Sequence, residues 1–205
     1  MEMVDCGNFL IGKYPVTQEQ YRKVLGKNPS DSKGKKNPVE SISWYDAIEF
    51  CNALSLKEGL TPCYVVHSEN GNVEWNQESN GYRLPTISEW EYAARGGNKS
   101  RGFLYSGSNT VNDVAWHYIN SDNKLHTVGE KKPNELGIHD MSGNVWEWCW
   151  GIYHNRNFDH VLCGGGWNTS ALFGRIDIRR LAPPDFKSNS IGFRLTKIKV
   201  QNKTN

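Results

Sequence analysis

Three glycine–aromatic phrases punctuate the last third of the chain: Gly143-Asn144-Val145-Trp146-Glu147-Trp148, Gly164-Gly165-Gly166-Trp167 and Gly192-Phe193-Arg194. Glycine opens each phrase, at points where a chain can turn sharply. The strand-forming runs around them are brief, and strands are predicted at 146–150, 161–164, 176–178 and 192–198. Short strands joined by irregular loop are what this pattern can build.

Three earlier segments share another design, an extended stretch, a hydroxyl cap and an amphipathic helix. Thr17 precedes Gln20, Ser43 precedes Asp46 and Thr86 precedes Glu89, each pair at capping-box spacing. Tyr21, Val24 and Leu25 give the first helix its apolar face, with Gly26 as its stop. Ala47, Ile48, Cys51 and Leu54 do the same for the second, which ends at Gly59. Trp90, Ala93 and Ala94 follow in the third, before Gly96-Gly97. All three read as scaffold. Tyr64-Val65-Val66 and Val73-Glu74-Trp75 flank Asn70-Gly71, a hairpin signal. The stretch 98–133 is rich in Gly, Ser, Asn and Lys and reads as long irregular loop, broken by Val114-Ala115-Trp116. No tandem repeat or linker divides the chain, so residues 1–205 are read as one α+β domain.

A net charge of +2 argues against nucleic acid as a partner. No apolar run approaches the roughly 20 residues a membrane helix needs, so direct membrane insertion is not expected. The N-terminus lacks a basic-then-apolar signal pattern, so an export signal is expected to lie outside this sequence. The five cysteines, Cys6, Cys51, Cys63, Cys149 and Cys163, make no C-x-x-C pair. They are expected to be buried free thiols, with one disulfide plus spare thiols as the alternative.

Four places invite a chemical reading. Asp140 and Glu147 bracket a tight glycine turn. Two carboxylates with backbone carbonyls between them can close on a calcium ion, or they can cap the turn by accepting from backbone amides. His67, His117, His126, His139, His154 and His160 show no metal-ligand spacing and read as surface or turn residues. Ser43, Ser88, Ser142 and Ser170 lack a nucleophile elbow, and Cys149, within an aromatic run, would be an inert thiol. Gly164-Gly165-Gly166 precedes no helix, which argues against a phosphate loop. The tail from 168 to 190 carries Leu172, Phe173, Leu181, Ala182, Pro183 and Phe186 among Asp177, Arg180 and Asp185. These side chains either pack an ordinary loop or form a recognition surface.

The ordered motifs resemble one family. Tyr82-Arg83-Leu84-Pro85-Thr86 with Glu89-Trp90-Glu91-Tyr92-Ala93-Ala94-Arg95-Gly96-Gly97, Asn37-Pro38-Val39-Glu40 before Ser43-Trp44-Tyr45-Asp46-Ala47, and the three phrases above are similar to the formylglycine-generating-enzyme subtype of the C-type lectin fold. The stretch from Phe9 to Tyr21 resembles that family's opening helix. The resemblance covers nearly the whole chain. It implies short antiparallel strands, two main helices and much irregular loop. It also implies a structural calcium ion held by Asp140 and Glu147 and by the carbonyls of Gly143 and Val145. The family's second calcium site maps near Val114, which offers no side-chain oxygen.

The family's enzymes bind copper through cysteines soon after the Gly-Gly-Gly-Trp phrase. Here that stretch reads Asn168-Thr169-Ser170-Ala171-Leu172-Phe173-Gly174, so neither copper nor iron chemistry is expected and no catalytic residue is assigned. The chain is more similar to the retroelement-diversified variable proteins of this fold, including the treponemal variable proteins. In those, the tail between the two glycine phrases is randomised from asparagine codons into a ligand site. Such randomisation cannot yield Lys, Glu, Gln, Met or Trp, and residues 168–190 hold none of these except Lys187.

The expectation is therefore a non-catalytic display protein at the cell surface or outside the cell, with a cytoplasmic location as the alternative. Its variable segment is 167–191. The expected ligand contacts are Leu172, Phe173, Asp177, Arg180, Leu181, Ala182, Pro183, Phe186 and Ser188. A protein ligand is favoured over carbohydrate, because the E-P-N, Q-P-D and W-N-D sugar signatures are missing. The competing readings are a sulfatase-modifying oxidoreductase and an inert structural domain.

Overall fold

The computed structural model describes residues 1–67, 69, 71–152 and 160–199. Asn70 and His154 lie outside the described residues. In chain order the elements are β1 (Met3–Asp5), β2 (Phe9–Gly12), α1 (Gln18–Leu25), α2 (Trp44–Lys57), β3 (Tyr64–Val66), β4 (Val73–Trp75), α3 (Ile87–Ala94) and α4 (Val111–Val114). Then follow β5 (Trp146–Ile152), β6 (His160–Cys163), β7 (Arg179–Ala182), β8 (Ile191–Phe193) and β9 (Thr196–Ile198). The fold is α+β, with short strands, as expected.

The three capping boxes form. Thr17, Ser43 and Thr86 each accept a hydrogen bond from the backbone N–H three residues on, and the side chains of Gln20, Asp46 and Glu89 reach back to the cap N–H. α1 stops at Gly26 in the left-handed region, φ +73°. The strand Phe9–Gly12 leads into the opening helix, which begins at Gln18 directly after the Thr17 cap.

Among the described residues the strands fall into three sheets: β1-β2-β9, the hairpin β3-β4, and β7-β6-β5-β8. β5 pairs with β8 in parallel and all other pairs are antiparallel. The expected strand at 192–198 is two strands in two sheets, separated by Arg194 and Leu195. The expected strand at 176–178 is a turn. Ile176 is buried and donates its N–H to the Leu104 carbonyl, and pairing starts only at Arg179.

β5 alternates between two cores, as a pleated strand must. Trp146 and Trp148 join Phe50, Tyr21, Leu84 and Phe193 beneath α1 and α2. Cys149 faces Trp90, Ile138, Val161, Cys163 and Ile176 beneath α3. Each buried indole removes roughly 150–250 Å2 from water, a gross gain of about 4–6 kcal/mol before entropy. All five cysteines are buried and free.

One ion pair runs through this interior. Arg194 and Glu147 have fully buried side chains. Arg194 Nε and Nη2 donate to Glu147 Oε2 (2.7 Å) and Oε1 (2.8 Å), while Trp90 Nε1 donates to Oε2 (2.7 Å). Arg194 Nη1 and Nη2 also donate to the carbonyls of Gly12 and His139, each at 2.8 Å. The pair thus ties β5, α3, β2 and the β8–β9 junction to one point.

Candidate functional site

The tail leaves β6 through Gly164 and Gly165, with φ values of +93° and +77°. A Cβ on Gly165 would lie 2.8 Å from the Phe173 carbonyl carbon and oxygen, so the close approach of this turn to the tail requires glycine. Trp167 then fastens both ends of the tail. Its N–H donates to the Asn144 carbonyl (2.8 Å) and its indole N–H to the Asn189 carbonyl (3.0 Å), 22 residues on. Between these points Ser142 Oγ donates to the Gly174 carbonyl, Arg179 pairs with Glu91 on α3, and Trp44 N–H donates to the Pro184 carbonyl. Lys187 pairs with Asp46, the capping residue of α2, at 2.6 Å.

The structure sorts the nine expected contact residues into three groups. Leu172, Phe173, Asp177, Arg180, Pro183 and Phe186 are exposed. Leu181 and Ser188 are half-buried, and Leu181 packs against the core beneath α3. Ala182 is buried in the core beneath α1 and α2, so its assignment as a contact residue is corrected: β7 directs it inward, opposite His160.

The exposed residues also divide in space. Leu172 and Phe173 lie on a short 3-10 turn, Ala171–Gly174, where Phe173 leans on Trp146 with ring centroids 5.9 Å apart. Arg180 lies over the Phe186 ring at 5.6 Å, beside Pro183. Asp177 is bound bidentately by Arg175, whose guanidinium holds its carboxyl below the usual range.

Sequence reasoning missed a second contribution at the first group. Tyr118 N–H donates to the Thr169 carbonyl (2.9 Å), and Ile176 N–H to that of Leu104 (3.1 Å), so two loops of the 98–133 stretch flank Leu172 and Phe173. Ile119, Tyr118 and Leu104 expose 83, 66 and 48% of their surface, beside 54% for Leu172. The signal was an apolar pair, Tyr118-Ile119, inside the polar run His117-Tyr118-Ile119-Asn120-Ser121-Asp122-Asn123.

Thr169 Oγ1 spends itself on the N–H and carbonyl of Gly166. Cys149 and Cys163, with Sγ atoms 3.6 Å apart, are in the core beneath α3, and burial pushes the Cys149 thiol well up.

The two carboxylates expected from the resemblance to hold calcium have protein partners in this structure. Both oxygens of Glu147 accept from N–H donors, and one of the two donor groups is a full guanidinium charge. A cation bound there would share Glu147 with the Arg194 guanidinium. Asp140 is buried, with φ +56°. Its Oδ2 accepts from Gly129 N–H (2.7 Å), and burial pushes its carboxyl up to about 6. Gly143 is pressed against the Trp116 carbonyl, which a Cβ would approach to 2.3 Å, and Val145 is fully buried. Among the described residues no three His, Cys, Asp or Glu side chains converge as a metal site. His117 and His160 are buried rather than at the surface.

Comparison with known proteins places this arrangement. The profile of the sulfatase-modifying factor enzyme 1-like domain matches residues 1–199. Chaperone protein LppX of Paenibacillus barcinonensis is 44% identical, over 92% of this chain and 78% of LppX. Inactive C-alpha-formylglycine-generating enzyme 2 of Bos taurus is 28% identical and formylglycine-generating enzyme of Mus musculus 26% identical. Each covers 88% of this chain, which spans only 56% and 49% of their lengths. Among solved structures, Treponema denticola variable protein 1 superimposes with a TM-score of 0.86 at 35% identity, over 93% of this chain and 84% of its own. CarF does so with 0.83 at 29%, over 98% and 94%.

Proposed function

The chain belongs to the sulfatase-modifying factor enzyme 1-like family, and we propose that it is a member that binds a protein ligand without catalysis. The observation that carries the reading is the apolar group Leu172 and Phe173 flanked by Leu104, Tyr118 and Ile119, held in the open by a rigid frame. Aromatic and aliphatic anchors of this kind are the usual furniture of a protein-binding hot spot. The likeness to a treponemal variable protein supports a display role for the tail, and a relative titled a chaperone supports a protein as the ligand. The absence of cysteine after Cys163 speaks against the copper chemistry of the formylglycine-generating relatives. Display outside the cell fits this role. Among the described residues no helix is long and apolar enough to cross a membrane.

The test replaces Leu172, Phe173, Asp177, Arg180, Pro183 and Phe186 together with Ser or Asn and leaves Leu181, Ala182 and Ser188 in place. Quantitative mass spectrometry of proteins cross-linked to the wild type and to this variant should show a partner lost from the variant alone. The circular dichroism spectrum and melting temperature should be retained. A partner set that survives the replacement, or oxygen consumption by the copper-treated domain with a cysteine peptide, would refute the reading.

A further inference from the structure

The geometry points to a second site, independent of the tail's role as a ligand surface: an aromatic cleft beside α2 that takes an organic cation on an apolar stem. The cleft encloses about 330 Å3, within the size range of small-ligand pockets, and is lined by Trp44, Tyr45, Glu74, Trp150, His160 and Pro184.

Its walls are fixed before any ligand arrives. Tyr64, Trp150, Trp44 and His160 form one column of rings, with successive centroids 4.9, 5.4 and 4.0 Å apart. Trp75 meets Trp150 edge-on at 5.6 Å. Trp44 Nε1 donates to the Cys149 carbonyl (3.2 Å), and Tyr64 Oη accepts from Leu84 N–H (2.9 Å), which pins the column to the sheet. Tyr45 stands at 78° to Trp44 and forms the side wall, half open to solvent.

The charge at the mouth of the cleft comes from Glu74. Glu74 stands at the rim with its side chain 73% exposed. On the other side of Tyr45 a neighbouring hollow of about 420 Å3 is lined by Asp46 and Glu49. Lys187 and Lys27 pair with those two, while the ion-pair partner of Glu74 among the described residues is His67. A carboxylate at the lip of an aromatic cleft recognises an ammonium or guanidinium through charge, the half-exposed Tyr45 ring adds a cation–π contact, and the edges of the stacked column take the stem through apolar contact. The cation can belong to a free amine or to a Lys or Arg side chain of a partner.

The experiment titrates the whole chain with benzylammonium, with the tripeptide acetyl-Gly-Arg-Gly-amide, and with benzyl alcohol as the neutral control. Tryptophan fluorescence and the indole N–H signals are followed by NMR. Both cations should bind saturably, about fivefold or more tighter than the alcohol, with the preference shrinking at high salt. Glu74→Gln lies on an exposed position and should fold normally while losing that preference, and Tyr45→Ala should weaken all three probes. Tighter binding of the tripeptide assigns the site to a partner's side chain, and tighter binding of the amine assigns it to a free metabolite. Equal binding of cation and alcohol, no saturable response in the wild type, or an unchanged preference in Glu74→Gln would each overturn the proposal. Because no tail side chain is altered, the outcome is separate from that of the six-residue replacement.

Discussion

The crossing at Glu147 and Arg194 and the strip from Leu172 to Phe186 are opposites. The first buries two full charges and satisfies every one with a named partner. The second leaves leucine and phenylalanine in water on a loop that is fastened at its ends. Charge inside and apolar surface outside reverse the ordinary distribution, and both reversals are informative. The interior pair over-determines the scaffold, and the exposed side chains of the strip are thereby released from holding the fold together, a task left to Ile176, Arg179 and Ala182 between them. Stability and recognition rest on separate residues.

The largest effect that would break this division is expected at the crossing. Arg194→Met strands a buried carboxylate and should cost about 3–5 kcal/mol in urea unfolding. The double variant Arg194→Met with Glu147→Gln should recover a large part of that loss. No recovery would mean that the carbonyl contacts to Gly12 and His139 matter more than the charge pair. Within the tail, Ala182→Phe should overpack the core and cost about 1–3 kcal/mol, whereas Pro183→Ser, one residue on, should stay within about 0.5 kcal/mol. Equal effects would erase the boundary drawn there.

Asp46 is where the two regions touch, and it sharpens the comparison through pH. Burial raises its carboxyl, but Lys187 and the Ser43 amide and hydroxyl outweigh that and hold it below 3.8. A carboxyl lowered on folding stabilises fully above its unfolded pKa and loses that contribution as pH falls through the folded value. Asp46→Asn should therefore cost about 1 kcal/mol at neutral pH, discounted for its partly exposed partner, and progressively less below about pH 4. A cost that is constant with pH would remove Lys187 from the account. The smallest expected effect is that of calcium. Chelation should move the melting temperature by about 1 °C or less, and a drop several times larger would reassign Asp140 and Glu147 to a bound ion.

The parts legible in the sequence are those fixed by near neighbours. Thr17 with Gln20, Ser43 with Asp46 and Thr86 with Glu89 each carry their whole argument within one helical turn. The glycine phrases also announced themselves, because Gly143 and Gly165 meet backbone that tolerates no Cβ. What sequence reasoning lost was partnership at a distance. The pairing of Glu147 with Arg194 lies 47 residues apart in sequence, in a phrase that read as scaffold. Ala182 looked like surface because its neighbours in sequence are, and only its pairing with β6 turns it inward. Ile176 and Ile178 alternate like a strand, yet a loop carbonyl from Leu104 claims Ile176 first. Tyr118, Ile119 and Leu104 join the site through two backbone hydrogen bonds that no periodicity encodes.

The indole of Trp167, bonded to the carbonyl of Asn189, has a consequence for how this protein can change. A segment knotted at both ends tolerates new letters but not new length. An inserted or deleted residue must be absorbed inside the knot, where Gly174, Arg179 and Pro184 are each already held by a neighbour. Lineages carrying this domain should therefore explore chemistry at constant count.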